Sequence, residues 1–172
     1  MAYRASAIRS IQRGSIALST IQASNTATIT AVTTTNSVVS ATVKVDGNPN
    51  DQASVAVVLT NSTTVTASRI TGAGVAATVE YTVTEYWPGI LKSVQPFTIS
   101  MTAGVSSNTA TITAVVTAKS VIVPNGATHT LTNLTPADVY TRLVLTNTTT
   151  VTGDRGTTTG ATVAYGTVVE WK

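Results

Sequence analysis

Along most of the chain apolar and polar residues alternate with a period of two, the spacing that predicts strands. Ala27, Ile29 and Ala31 alternate with Thr26, Thr28 and Thr30, so an extended backbone carries an apolar face and a hydroxylated one. Val55, Val57 and Leu59 repeat the device, and Val79, Tyr81 and Val83 form another row. Later rows are Ala110, Ile112 and Ala114, then Leu143 and Leu145, then Val163 and Tyr165. Half-buried antiparallel strands read this way. The pattern predicts strands over 14–20, 25–33, 37–45, 53–60, 63–68 and 76–86, then over 97–103, 108–116, 119–124, 139–146, 149–153 and 160–170. Turns are expected at Asp46-Gly47, Asn125-Gly126 and Gly153-Asp154.

The rows come in two copies. Asn25 to Val32 reappears unchanged as Asn108 to Val115, at a spacing of 83. Ser10, Ile11 and Gln12 recur as Ser93, Val94 and Gln95 at the same spacing. The spacing then lengthens by three, matching Leu59–Thr66 to Leu145–Thr152 and Arg69 to Arg155, as a longer loop in the second copy would require. At the ends, Tyr81 and Trp87 match Tyr165 and Trp171 at a spacing of 84. Two units follow, and each is long enough to close its own core. The expected fold is all-β: two tandem small antiparallel β-sandwich or barrel domains of similar topology. An N-terminal arm covers 1–8, the first domain 9–87, a short linker 88–91 around Pro88 and Gly89, and the second domain 92–172.

Composition supports strands over helices. Of 172 residues 37 are Thr and 24 are Val, and both are β-branched. Only 10% of residues are charged, and the formal net charge is +3. Outward threonines keep a strand surface wettable without charge, but such a surface resists self-pairing weakly, so its edges need covering by a partner or the sibling domain. Arg4, Arg9 and Arg13 are dispersed, which disfavours nucleic acid and suits an attachment arm for a protein partner. No segment approaches the length of a membrane-spanning helix, and no secretory leader is read at the N-terminus.

Candidate chemistry is sparse. There is no Cys and a single His, His129, read as a loop residue in the polar stretch from Pro124 to Pro136. No metal-ligand spacing, phosphate loop or dinucleotide fingerprint is present. The reading is therefore of no catalytic residues, no metal and no cofactor. Glu80 and Glu85 lie five apart, on opposite faces of a strand, which spoils a carboxylate pair. Asp154, beside Arg155, is read as a turn cap. Asn61-Ser-Thr, Asn133-Leu-Thr and Asn147-Thr-Thr match the glycan acceptor pattern as a by-product of Thr richness. Tyr86, Trp87 and Trp171 close the two units; each Trp is expected to lid its core, with a domain or subunit interface as the alternative.

Three segments carry a resemblance: Ser10-Ile-Gln-Arg-Gly14-Ser-Ile, Leu59-Thr-Asn-Ser-Thr-Thr-Val and Val168-Val-Glu-Trp171. They resemble a repeat unit in structural proteins of tailed bacteriophages, where a Gln-Arg-Gly segment opens and a Val-Val-Glu-aromatic segment closes a β domain. In the second unit Gln95 is followed by Pro96 and Phe97, and the first unit closes as Val83-Thr84-Glu85-Tyr86-Trp87. The resemblance implies a non-enzymatic virion protein, a capsid decoration or accessory subunit present in many copies. Its expected partner is the major capsid protein or another virion protein. The alternative is a tail- or fibre-associated carbohydrate- or receptor-binding module.

Overall fold

The computed structural model describes residues 6–46, 54–69, 74–130, 137 and 140–172. Among the described residues there are twelve strands, six in each unit. The first unit holds β1 (Ile8–Leu18), β2 (Ser24–Thr28), β3 (Ser37–Asp46), β4 (Ala56–Asn61), β5 (Thr64–Ser68) and β6 (Ala76–Tyr86). The second holds β7 (Leu91–Met101), β8 (Ser107–Thr111), β9 (Ser120–His129), β10 (Thr141–Asn147), β11 (Thr150–Arg155) and β12 (Thr162–Trp171). A single 3-10 turn precedes β3, η1 (Thr34–Asn36), and another precedes β9, η2 (Thr117–Lys119).

Both units have the same topology, with every pairing antiparallel. Sheets β1-β6-β3 and β2-β5-β4 form the first sandwich, and β7-β12-β9 and β10-β11-β8 form the second. Most of the alternating apolar rows meet between the sheets; Val163 and Tyr165, expected inward, face outward because Ala164 and Val168 take the core side of β12, and Ala31 and Ala114 lie exposed beyond the ends of β2 and β8. Ile16, Leu18, Val57, Val65, Val79 and Val83 fill the first core, and Ile99, Met101, Ile112, Val151, Ala164 and Val168 the second. The two-unit, all-strand expectation is thus the architecture observed.

Residues that recur in both halves join one sheet to the other. The Gln12 amide donates to the Thr30 carbonyl at 2.9 Å and accepts from the Thr30 N–H at 2.7 Å, and Gln95 does the same with Thr113. Asn25 and Asn108 donate across to the carbonyls of Ala17 and Ser100. Asn61 and Asn147 accept from the N–H two residues on, closing the β4–β5 and β10–β11 hairpins as Asx turns.

Several boundaries differ from the sequence expectation. β1 and β7 begin six residues earlier than predicted, because Ile8–Arg13 and Leu91–Pro96 pair with the far ends of β6 and β12. β2 ends at Thr28, and beyond it Ile29 and Val32 bond instead to the carbonyls of Thr63 and Ser62 at the hairpin tip. Asn125-Gly126 is a bulge rather than a turn: these two residues oppose the single Tyr165, with Gly126 at φ +88°. Gly153 and Asp154 lie inside β11. Gly47 falls outside the described residues. The Pro88-Gly89 junction is a turn, closed by the Ile90 N–H on the Trp87 carbonyl at 3.2 Å, with Gly89 at φ +91°.

The final strands also align differently. Ile16 pairs with Val79 and Ile99 with Ala164, so β6 and β12 correspond at a spacing of 85, not 84. One residue of slip exchanges the two faces of a strand. Tyr81 therefore corresponds to Gly166, Glu85 to Glu170 and Tyr86 to Trp171. This register exposes an exchange between strands. In the first unit Tyr81 of β6 stands over Gly14 of β1, where a Cβ would lie 2.5 Å from the tyrosine hydroxyl oxygen. In the second, Phe97 of β7 stands over Gly166 of β12, where a Cβ would lie 2.5 Å from the ring. Each unit fits one ring over one glycine and supplies the ring from the opposite strand.

Candidate interaction surfaces

The titratable side chains inside each unit hold the fold together. Glu85 accepts from Arg9 at 3.1 Å, from the Ser10 hydroxyl at 3.1 Å and from the Thr33 N–H at 2.9 Å. Glu170 accepts from Lys92 at 2.9 Å, from Ser93 and from the Val116 N–H at 2.8 Å. Burial pushes the Glu85 carboxyl up, but the Thr33 N–H, Ser10 and Arg9 together hold it below the usual carboxylate range. At Glu170 the Val116 N–H is the largest influence and outweighs burial; Lys92 and Ser93 add to it, and this carboxyl too is held low. Each glutamate ties the start of its unit to the turn before β3 or β9. The early start of β1 and β7 brings these partners together, and the sequence reading missed both contacts.

Arg155 is buried and donates to carbonyls of Thr102, Val105, Thr159 and Gly160 and to the Thr162 hydroxyl. Arg69 likewise donates to the carbonyls of Ser19 and Gln22. These guanidiniums clamp loops through backbone carbonyls. His129, expected in a loop, is a buried β9 residue whose Nδ1 is 2.8 Å from the Thr162 hydroxyl. Asp154, expected to cap a turn, is paired with Arg142 through both carboxylate oxygens, at 2.7 to 3.1 Å. No group of three His, Cys, Asp or Glu is placed to hold a metal among the described residues. No described helix is long and apolar enough to cross a membrane.

Arg9 and Arg13 lie on β1, within a sheet, because the strand runs back to Ile8; Arg4 lies outside the described residues. The Arg9 guanidinium sits 5.5 Å from the Trp87 ring centroid, and Trp87 is 49% exposed. Neither Trp belongs to a core cluster, which corrects the expectation that each lids its unit. Tyr86 and Trp171 end β6 and β12 at equivalent, half-buried positions.

The contact between the units is made elsewhere. The side of the first sandwich formed by η1, β3 and β4 lies against the sheet β7-β12-β9: η1 meets β7, β3 meets β9, and β4 meets β9 and β12. The Asn125 amide donates to the Val39 carbonyl at 3.1 Å and accepts from the Thr167 hydroxyl at 2.9 Å. At the bulge, a Cβ on Gly126 would stand 2.1 Å from the Val55 carbonyl oxygen, so only glycine permits this approach. Thr167 and Val169 point away from their own core, yet both are buried, Val169 at 1% exposure. On the opposing side Ala56 is fully buried. A cavity of about 560 Å³ remains between the units, with Val39 and Leu59 on one wall and Pro96, Tyr165 and Thr167 on the other.

The contact joins two different surfaces of equivalent units. The donor is the η1–β3–β4 side of the first, and the acceptor is the outward face of the second sheet. The first unit has its own outward face, where a shallow depression of about 250 Å³ is lined by Arg13, Ser40, Thr42, Glu80 and Thr82. In the aligned register these positions correspond to Pro96, Val123, Asn125, Tyr165 and Thr167. No protein-family model, curated protein sequence or solved structure matches this chain.

Proposed function

We propose that the chain is a non-enzymatic virion structural protein, a capsid decoration or accessory subunit of a tailed bacteriophage that acts by docking its β units onto neighbouring virion proteins. The viral part of the reading rests on the sequence resemblance. The docking part is supported by one observation: the outward sheet face of the second unit is covered within the chain by the first unit, where Thr167 donates to Asn125 and Asn125 donates to the Val39 carbonyl. The remaining surface is weakly charged and rich in threonine, which suits contact with a repeating array. Quantitative mass spectrometry of gradient-purified particles tests the reading. The expected result is many copies per particle; absence of the chain from particles overturns it.

A second reading, a tail- or fibre-associated carbohydrate- or receptor-binding module, is favoured by the cavity between the units. Tyr165, Thr98 and Thr167 line it, placing an aromatic ring and hydroxyls in one concave site. The stretch from Asn125 to His129, read from the sequence as a polar loop, is part of β9 and adds nothing to this reading. Glycan-array binding abolished by Tyr165→Ala is the expected signature. No saturable binding removes this reading.

A further inference from the structure

The cavity of about 560 Å³ between the units has walls that neither unit presents alone. Thr34, Val39 and Leu59 of the first unit lie on one side, and Pro96, Phe97 and Tyr165 of the second on the other. Asn125 and Val39, which bond each other across the contact, both belong to its boundary. Its size falls within the range of about 300–1,000 Å³ usual for small-molecule sites. The duplication shows that this lining is not a property of the repeat. On the outward face of the first unit, Arg13 and Glu80 occupy the positions of Pro96 and Tyr165. The second unit has a neutral side chain at each, and no residue lining the cavity is charged.

This lining discriminates between kinds of ligand. An ion would lose its hydration here without gaining a counter-charge, which is strongly unfavourable. A wholly apolar molecule would cover the hydroxyls of Thr34, Thr98 and Thr111, which bond to no protein group among the described residues, and leave them unpaired. A neutral molecule with apolar faces and hydroxyls around its rim avoids both penalties. A pyranose has that form, since its C–H face lies against rings and aliphatic side chains while its hydroxyls donate and accept at the edge. Thr98 stands beside Tyr165 in the β7–β12 ladder, so an aromatic ring and a hydroxyl are neighbours on one face. Thr34 approaches from the first unit on η1, which meets β7.

We propose that this cavity binds a neutral mono- or disaccharide held by both units at once, so that the sugar and the docking of the units stabilise each other. The proposal rests on the carbohydrate-binding reading above, and adds the charge class of the sugar and the need for both units. A ligand that binds only the docked arrangement favours it by mass action, and its apparent affinity falls when that arrangement is less populated.

Isothermal titration calorimetry on the full chain tests this, with lactose, maltose, cellobiose and N,N′-diacetylchitobiose as neutral probes and N-acetylneuraminic and glucuronic acids as charged ones. At least one neutral probe should bind saturably, with Kd between about 10 µM and about 5 mM, and both acids at least about tenfold more weakly. Thr34→Ala on the first unit and Thr98→Ala on the second should each weaken the neutral probe about fivefold, the loss of a neutral hydrogen bond. Both threonines are exposed, and circular dichroism confirms that the variants fold. Gly126→Ala, which disturbs the docking at a residue outside the cavity lining, should weaken the probe about tenfold or more by depopulating the docked arrangement. Acids that bind as tightly as the neutral probes overturn the proposal and leave the carbohydrate reading standing. So does a neutral probe whose affinity survives Thr34→Ala or Gly126→Ala, since the second unit then binds it alone. No binding by any of these probes overturns the proposal, and a blank glycan array removes the carbohydrate reading with it.

Discussion

The outward faces of the sheets β1-β6-β3 and β7-β12-β9 share strand order and pairing but differ in chemistry. Ile11, Arg13, Glu80 and Thr84 on the first correspond to Val94, Pro96, Tyr165 and Val169 on the second. The second face is apolar where the first unit rests on it, and the first is polar where the structure leaves it open. Inward positions show a different kind of change: a ring and a glycine exchange strands, and the volume over the sheet is kept. The core constrains the sum of its parts, because cores tolerate rearrangement when volume is conserved. The outward face is constrained by whatever docks on it.

The largest expected effect breaks this core equivalence. Tyr81→Ala and Phe97→Ala should each cost about 3–5 kcal/mol, as truncation of a buried ring does, measured by chemical denaturation. Gly14→Phe alone should be similarly damaging, since both rings then claim one space. Gly14→Phe with Tyr81→Gly transplants the second unit's arrangement into the first and should recover most of the loss. A double variant no better than the single would show that the two cores are not equivalent.

Next in size is the contact between the units. Gly126→Ala combines a positive φ with a clash against the Val55 carbonyl, and should cost about 2–4 kcal/mol. The loss should fall on the docking, so that calorimetry resolves two unfolding transitions where wild type shows one. A single transition shifted downward would place the cost within the second unit.

The glutamate clamps give a smaller effect with a definite sign. Glu85→Ala leaves the Thr33 N–H and Ser10 hydroxyl unpaired, at about 1–3 kcal/mol. Both Glu85 and Glu170 are held below the ordinary carboxylate value of 4.5. The unfolded chain therefore binds protons first, and the stabilisation is full above about pH 4.5 and lost as pH falls through the lowered folded values. Glu85→Gln should flatten that acid dependence in urea titrations, and an unchanged acid limb would show that the clamp contributes no linkage. Least of all, Arg142→Ala should leave the melting temperature of the monomer unchanged, because its pair with Asp154 is exposed. A lowered melting temperature would show that the pair contributes to the fold.

Much of the core was legible from residue spacing. Ile29, Val57, Val79 and Ile112 were placed inward by alternation alone, and they are buried. Asn25, Asn61 and Gln12 stood out as repeated residues, and each bonds a backbone that its counterpart also bonds. The clamps at Glu85 and Glu170 were not legible, because their partners lie more than 50 residues away, at Thr33 and Val116. Asn125-Gly126 was misread because the dipeptide that favours a hairpin turn also suits a bulge, and only the pairing of neighbouring strands distinguishes them.

By itself the sequence determined that the chain is all-β, that it is built twice, and the inward rows of β4 and β6, because side-chain alternation follows from local backbone geometry; Val163 and Tyr165, read as an inward row, face outward. Tertiary structure alone decided the register of β6 and β12, since a one-residue slip in a Val- and Thr-rich strand leaves its local pattern almost unchanged while exchanging its faces. It also decided which threonine-bearing face is buried between the units. That outcome depends on a neighbouring surface, and nothing local to a strand encodes what will lie against it.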